Sequence, residues 1–316
     1  MSRIVIAADL GGTNLRIAAV DEQGNVVHRL RVPTPASHSR ADITAAIGDL
    51  ASQCMGMLGA DSRPSAFGVA APAIVSSADG TIFSSPNLPE LNGYDLAREL
   101  KDRLGLPVML ENDANSAAVG EYWLGASRGV MNSICVTLGT GVGGGLIFDG
   151  KLMRGVDGTA GEVGHVTVEP DGYPCGCGSN GCVEQYASAT AIKHIATLLK
   201  ATYPDSELAR IEHPSAVEVF EAGQRGDPLA LEVFRQVGTY LGIALAGLIN
   251  VLNPEVIVIG GGVAAGWDLF IEHTHTQIKK RAFRQPGERA KLVRAELGDD
   301  AGILGAAKLA LESCKT

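Results

Sequence analysis

Nowhere does this chain carry an apolar run long enough to cross a bilayer. Its longest, Leu241–Leu252 (LGIALAGLINVL), falls well short of the ~20 residues that a helical span needs. Nor does it open like a secretory leader, because the apolar stretch in MSRIVIAADLGG is brief and ends on Asp9. Both absences point to a cytoplasmic protein with no membrane partner. Positive charge is scarce too: 26 Lys and Arg stand against 35 Asp and Glu, a formal net charge of −9. That balance argues against a nucleic-acid surface. No low-complexity linker interrupts the chain, and no Gly-Lys-Ser/Thr follows its glycine clusters, which excludes a Walker-type phosphate loop. Cysteine is sparse, yet three of the six residues, Cys175, Cys177 and Cys182, fall within one short stretch.

Glycine is what abounds: 40 of 316 residues, or about 13%, against a usual ~7%. Much of the surplus lies at Gly11–Gly12, Gly139–Gly145 and Gly260–Gly262. The apolar run Ile4–Ala8 stops on Asp9, turns through GGTN, and resumes at Leu15–Val20 and Val26–Leu30. The pattern returns ~130 residues later at Ser133–Leu138, GTGVGGG, Leu146–Phe148 and the hairpin signal Asp149–Gly150. Helical periodicity marks Ala41–Leu58, Tyr94–Leu104, Val183–Leu199, Leu229–Leu252 and Ile303–Glu312, with short buried strands expected at Pro107–Leu110 and Glu255–Ile259. A chain of this length with such a repeat predicts two α/β domains.

A glycine turn between strands exposes backbone N–H groups and admits a phosphate without Cβ interference. Gly11 and Gly12 with Thr13 have that character, as do Gly139, Thr140, Gly141, Gly143 and Gly144. The plain alternative is a pair of tight hairpins needing positive φ. Gly139–Gly144 also matches G-x-G-x-x-G, but strand residues follow it. Gly260, Gly262 and Ala265 match the alanine-ended form after the strand EVIVIG, so an NAD-dependent oxidoreductase stays open beside an ATP site. LENDANSA puts Asn112 and Asp113 just past a strand, where open α/β sheets carry ligands. There Asp113 could take the proton of an attacking hydroxyl, or simply cap a helix.

Cys175, Cys177 and Cys182 supply three thiolates, and His165 in GEVGH can supply a fourth ligand, a common closed tetrahedral zinc set. The Cys-x-Cys spacing differs from the Cys-x-x-Cys of redox pairs, and reduced thiols are expected in a cytoplasm. One imidazole nitrogen can bind zinc while the other meets a hydroxyl. The segment from His165 to Glu184 reads as having no apolar core of its own, so the metal would hold its shape.

The motifs DLGGTNLR, LENDANSAA, LGTGVGGGL, GEVGH with CGCGSNGCVE, and VIVIGGGV stand in the order seen in bacterial ROK-family sugar kinases. The chain resembles that family over nearly its whole length. The resemblance implies an actin-like, hexokinase-like (ribonuclease H-like) fold: two α/β domains, residues 1–120 and 121–301, with a ligand cleft between them and a last helix, 302–316, returning to the first. It implies an ATP:hexose 6-phosphotransferase working as a homodimer. Glucose is the usual substrate of members with the zinc element; N-acetylmannosamine, fructose and mannose are the alternatives. Asp9 and Gly11–Thr13 would face Mg²⁺ and phosphate, Gly139–Gly144 would form a second phosphate loop, and Gly260, Gly261 and Gly262 would lie against adenosine. Asp113 would be the general base, while Asn87, Asn112, Glu162, His165 and Glu184 would hold sugar hydroxyls. One departure is NLPELNGYDL, where Glu90 and Leu91 replace the Gly-Trp of many glucokinases. Family members that act as sugar-responsive repressors carry a helix-turn-helix domain ahead of the first turn, whereas only eight residues precede Asp9 here.

Overall fold

Strand β1 (Ile4–Leu10) sends Val5 and Ala7 to one side and Ile6, Ala8 and Leu10 to the other, all of them buried. A strand buried on both faces belongs at the centre of a covered sheet. The computed structural model, which describes residues 3–59, 62–76 and 79–314, places it there. β2 (Asn14–Asp21) and β3 (Val26–Pro33) follow antiparallel. After α1 (Arg40–Gly56), β4 (Phe67–Ala71) pairs parallel to β1. A small ribbon, β5 (Ile74–Val75) with β6 (Ile82–Ser84), and α2 (Leu96–Leu104) lead to β7 (Val108–Asn112), parallel to β4. α3 (Asp113–Leu124) follows without a loop.

The second half repeats the scheme. β8 (Ser133–Leu138), β9 (Val142–Phe148) and β10 (Lys151–Leu152) come first, the last two joined through Asp149 and Gly150, both left-handed at φ 50 and 70. That pairing of angles is the favoured two-residue hairpin turn. Helices α4 (Glu184–Ala187), α5 (Ala189–Leu199), α6 (Ala216–Gln224) and α7 (Pro228–Leu252) precede β11 (Val256–Gly260). α8 (Trp267–Arg281) and α9 (Arg284–Arg289) precede β12 (Lys291–Arg294), and α10 (Ala301–Ser313) closes the chain. The first sheet is ordered β3-β2-β1-β4-β7 and the second β10-β9-β8-β11-β12, so the repeat seen in sequence is a repeat of topology.

The chain divides into two units, Met1–Met131 with Gly145–Gly161 and Glu296–Thr316, and Asn132–Gly144 with Glu162–Ala295. This differs from the division expected at 120/121 and 301/302, which would cut α3 inside its last turn. Glu121, fully buried near the end of α3, accepts from the backbone N–H groups of Ala126, Glu296 and Leu297 at 2.8, 3.2 and 2.8 Å. One carboxylate thereby fastens the stretch beyond α3 and the returning chain to the first unit.

Two helices depart from expectation. The single helix expected at Val183–Leu199 is broken at Ser188, whose hydroxyl accepts from the Ala191 N–H at 3.0 Å and starts α5 afresh. α7 is longer than the apolar run suggested: at 25 residues it is long and apolar enough by composition to cross a membrane, yet 61% of its most apolar window is buried inside the protein. It is a core helix, packed mainly against α8.

α10 covers the first sheet on the face of Val5 and Ala7 and lies along α3 so closely that a Cβ on Gly305 would sit 1.7 Å from the Ser116 carbonyl oxygen. Because the obstacle is backbone, the helices must part. Gly305→Ala is expected to lower stability by ~1–3 kcal/mol or more, read as an earlier urea midpoint at unchanged slope. An unchanged midpoint would mean that the two helices slide freely.

Candidate functional site

At the C-terminal end of β1, Asp9 is 9% exposed and ion-paired with Arg16. Burial raises its carboxyl above the ordinary range, with Arg16 opposing. The turn Gly11–Thr13 follows. Neither Gly11, Gly12, Gly139 nor Gly141 has positive φ, so the hairpin explanation for these glycines fails. A Cβ on Gly12 or Gly139 would meet nothing within 4 Å, so no protein neighbour requires glycine there either. Gly143 and Gly144, expected in the second loop, lie within β9; the turn itself is Gly139–Gly141. Gly141 has a reason of its own: a Cβ there would lie 2.2 Å from Glu184 Oε2, which accepts from the Val142 N–H at 2.9 Å.

The β7–α3 junction separates the two readings of LENDANSA. Asn112 is the cap: its Oδ1 accepts from the Asn115 N–H at 3.0 Å, and its Nδ2 donates to the Ala73 carbonyl at 3.1 Å. An amide has two donor and two acceptor positions, so Asn112 keeps one of each. Asp113 is the first residue of the helix proper, half-buried, with Oδ1 accepting from the Ala114 N–H at 2.8 Å. Asn87 is exposed in the bend before a short turn at Pro89–Leu91. That turn is held to Arg40 through the carbonyls of Glu90 and Asn92 at 2.5 and 2.6 Å, leaving the Glu90 carboxylate out of the contact.

In the second unit His165, Cys175, Cys177 and Cys182 place one ligand atom each within 4.8 Å of one another. His165 Nδ1 is 3.5 Å from Cys175 Sγ, and Cys177 Sγ is 3.7 Å from Cys182 Sγ. Metal bonds of ~2.3 Å to sulfur and ~2.0–2.1 Å to nitrogen require tetrahedral edges of about 3.5–3.8 Å, so the set fits zinc. Without a cation the thiols obstruct one another: burial, then the hydrogen bonds to Cys175 and Cys177, push Cys182 up to about 12. The other imidazole nitrogen, Nε2, points away toward Glu162 Oε2 at 3.9 Å. Burial raises the Glu162 carboxyl, His165 opposes this, and Glu184 adds to it, although 43% of the Glu162 side chain remains exposed.

The cysteine loop is better anchored than expected. Tyr173 stacks on Tyr186 at 5.2 Å, Tyr186 lies 4.0 Å from Tyr240 of α7, and the Tyr186 hydroxyl accepts from the Tyr173 N–H at 3.1 Å. This aromatic clasp was not foreseen, because its rings come from three separate stretches of sequence.

Beside the Gly139–Gly141 turn lies an apolar cavity of about 470 Å³, walled by Ile192, Val217, Phe220, Phe234 and Val263, with Gly139 and Gly262 also on its surface. Gly260 ends β11, and Gly261 is left-handed at φ 82, where a Cβ would press on Leu138 backbone at 2.5 Å. Its walls come from α5, α6, α7 and the turn after β11, so only the glycines gave a sequence signal.

The ROK family model matches residues 5–313. The chain is 38% identical to a glucokinase of Halalkalibacterium halodurans over 310 residues, covering 96% of this chain and 93% of that one. Among solved structures it is similar to a ROK family glucokinase from Streptomyces griseus in complex with glucose and AMPPNP, with TM-score 0.82, 34% identity, and 98% and 99% of the two chains covered. It is equally similar to a ROK hexokinase from Thermus thermophilus, with TM-score 0.84, 34% identity, and 99% of each chain covered. The fold is the actin-like, hexokinase-like one expected.

Proposed function

The chain belongs to the ROK family, and from that premise we propose that it is an ATP-dependent glucokinase, moving the γ-phosphoryl group of ATP to the 6-hydroxyl of glucose. The observation that carries this reading is full-length likeness to glucokinases, one of them solved with glucose and AMPPNP. Asp113 accepts the proton of the 6-hydroxyl as its oxygen bonds to the γ-phosphorus, and ADP leaves with the electrons of the broken bond. Asn87, Asn112, Glu162, His165 and Glu184 are each assigned a sugar hydroxyl, as the family resemblance implies. The half-used amide of Asn112, and a His165 Nε2 turned from the cysteines toward the Glu162 carboxylate, support those roles. The Gly11 and Gly139 N–H groups are spent on the Asn14 and Gly141 carbonyls at 2.8 and 2.9 Å, so the phosphate donors of the two turns are the N–H groups of Gly12, Thr13, Thr140 and Gly141. The apolar cavity beside Gly139 and Gly262 suits an adenine ring better than a polar ligand. Asp9 would hold Mg²⁺, which neutralises phosphate charge when bound. His165, Cys175, Cys177 and Cys182 would hold a structural zinc. A reducing cytoplasm suits such thiolates, and family resemblance adds a homodimer, tested by light scattering on the purified protein.

Coupled ADP release across hexoses and hexosamines tests the reading. Glucose should give the highest kcat/KM; release with none of the sugars would sink the kinase, and a tenfold preference for mannose, fructose or N-acetylmannosamine would reassign its substrate. A finer prediction concerns Gly141. Since its Cβ would occupy the place of the Glu184 carboxylate, Gly141→Val should raise the KM for glucose at least as much as that for ATP. A rise confined to ATP would show that Glu184 does not bind sugar.

A further inference from the structure

The geometry points to Glu111 and Arg154 as a positioning pair for Asp113, an inference that rests on Asp113 being the base. Glu111, next to last in β7, is 7% exposed, and its carboxylate gathers donors from three places. Oε1 accepts from the Asn112 N–H at 3.1 Å and from Asn115 Nδ2 at 3.0 Å. Oε2 accepts from Arg154 Nε at 2.7 Å, in the stretch just after β10. The residues on either side of the Asp113–Ala114 step therefore hang on one carboxylate, and Asn112 and Asn115 are also bonded to each other through the cap. Asn115 Oδ1 is buried and has no hydrogen-bond partner among the described residues, so its amide is oriented by the donation to Glu111 rather than by a full set of bonds.

Arg154 is the cation of this set. A buried carboxylate is costly unless paired, and an Arg–carboxylate hydrogen bond is among the strongest and most directional available. With Arg154 in place Glu111 keeps both Oε1 contacts. Without it the carboxylate turns toward water, releasing the Asn112 N–H and the Asn115 amide. Asp113 then shifts at the start of α3, and misplacement by ~1 Å can lower turnover ~10²-fold. Arg154 is one-third exposed, so its replacement spares the core.

The test uses the full-length enzyme loaded with zinc and MgATP. Arg154→Met is expected to lower kcat ~10²-fold with the KM values for glucose and ATP changed less than about threefold. Arg154→Lys, which restores a cation on Glu111, should recover part of the loss. In an Asp113→Asn background Arg154→Met should cost nothing further in kcat, because a residue acting only through Asp113 has nothing left to align. Losses that multiply across the double variant, or a kcat of Arg154→Met near that of the parent, would overturn the pairing while leaving the base intact. A harmless Asp113→Asn would instead remove the reading on which it rests.

Discussion

Asp113→Asn should cut glucose phosphorylation by ~10²–10⁴-fold or more while the protein melts almost as before. Asparagine keeps the carbonyl that accepts from the Ala114 N–H, and the cap of α3 belongs to Asn112 rather than to Asp113. The favourable meeting of a negative charge with the helix start is lost, ~0.3–1 kcal/mol. What disappears is the acceptor that takes the hydroxyl proton, so kcat should fall and glucose KM should move little. Steady-state kinetics beside a thermal melt decide it. Near-normal turnover with a lowered melting temperature would make Asp113 a helix-start residue and nothing more.

The second large effect belongs to the metal set. Purified protein should contain one zinc per chain, and Cys177→Ser should lose it, since a neutral hydroxyl is a far poorer ligand than a thiolate. The loss in affinity should exceed the ~10–100-fold seen for residues that merely support ligands. Cys177 lies at the exposed edge of the set, where the Ser179 backbone N–H lowers its thiol below the usual value, so the substitution adds no packing defect. Glucose KM should then rise steeply, because the ion that would hold His165 beside Cys175 is lost with the fourth ligand, while ATP KM should change far less. The aromatic clasp limits the damage: hydrogen exchange should quicken over 174–180 and stay slow around Tyr173 and Tyr186. Cys314→Ser, outside the set, serves as the control and should keep both metal and activity. Wild-type protein stripped of zinc yet normal in glucose KM would make the cysteines bystanders.

What could be read from sequence was whatever repeats or clusters. The strand–glycine–strand units stood out because β-branched residues stop abruptly at turn residues, and the cysteine set because four ligands, one His and three Cys, crowd one short segment. α3 was invisible for the opposite reason. Ala114–Glu121 is buried at every position, so no polar face reveals a helical period. The boundary expected at 120/121 accordingly falls inside α3. Gly141 looked like a phosphate glycine but is also small to admit Glu184, a contact spanning 43 positions. The walls of the apolar cavity, Phe220 and Phe234 among them, carry only the signature of ordinary core helices. Periodicity tells that such side chains are inside, not that they enclose a ligand.

The place of α10 has a consequence for how the chain matures on the ribosome. Ile303, Leu304, Ala306, Ala307 and Ala310 complete the apolar layer over Val5, Ala7 and Ala18, yet they are synthesised only after the whole of 162–295. All the strands that form the first sheet are made before residue 113 and must wait, one face bare, until α10 has been made. The stretch 162–295, by contrast, is finished before that point. Nascent domains usually fold in the order they emerge, at ~5–20 residues per second. Here the half begun first is the half completed last, which makes its uncovered sheet the part most in need of a chaperone during synthesis.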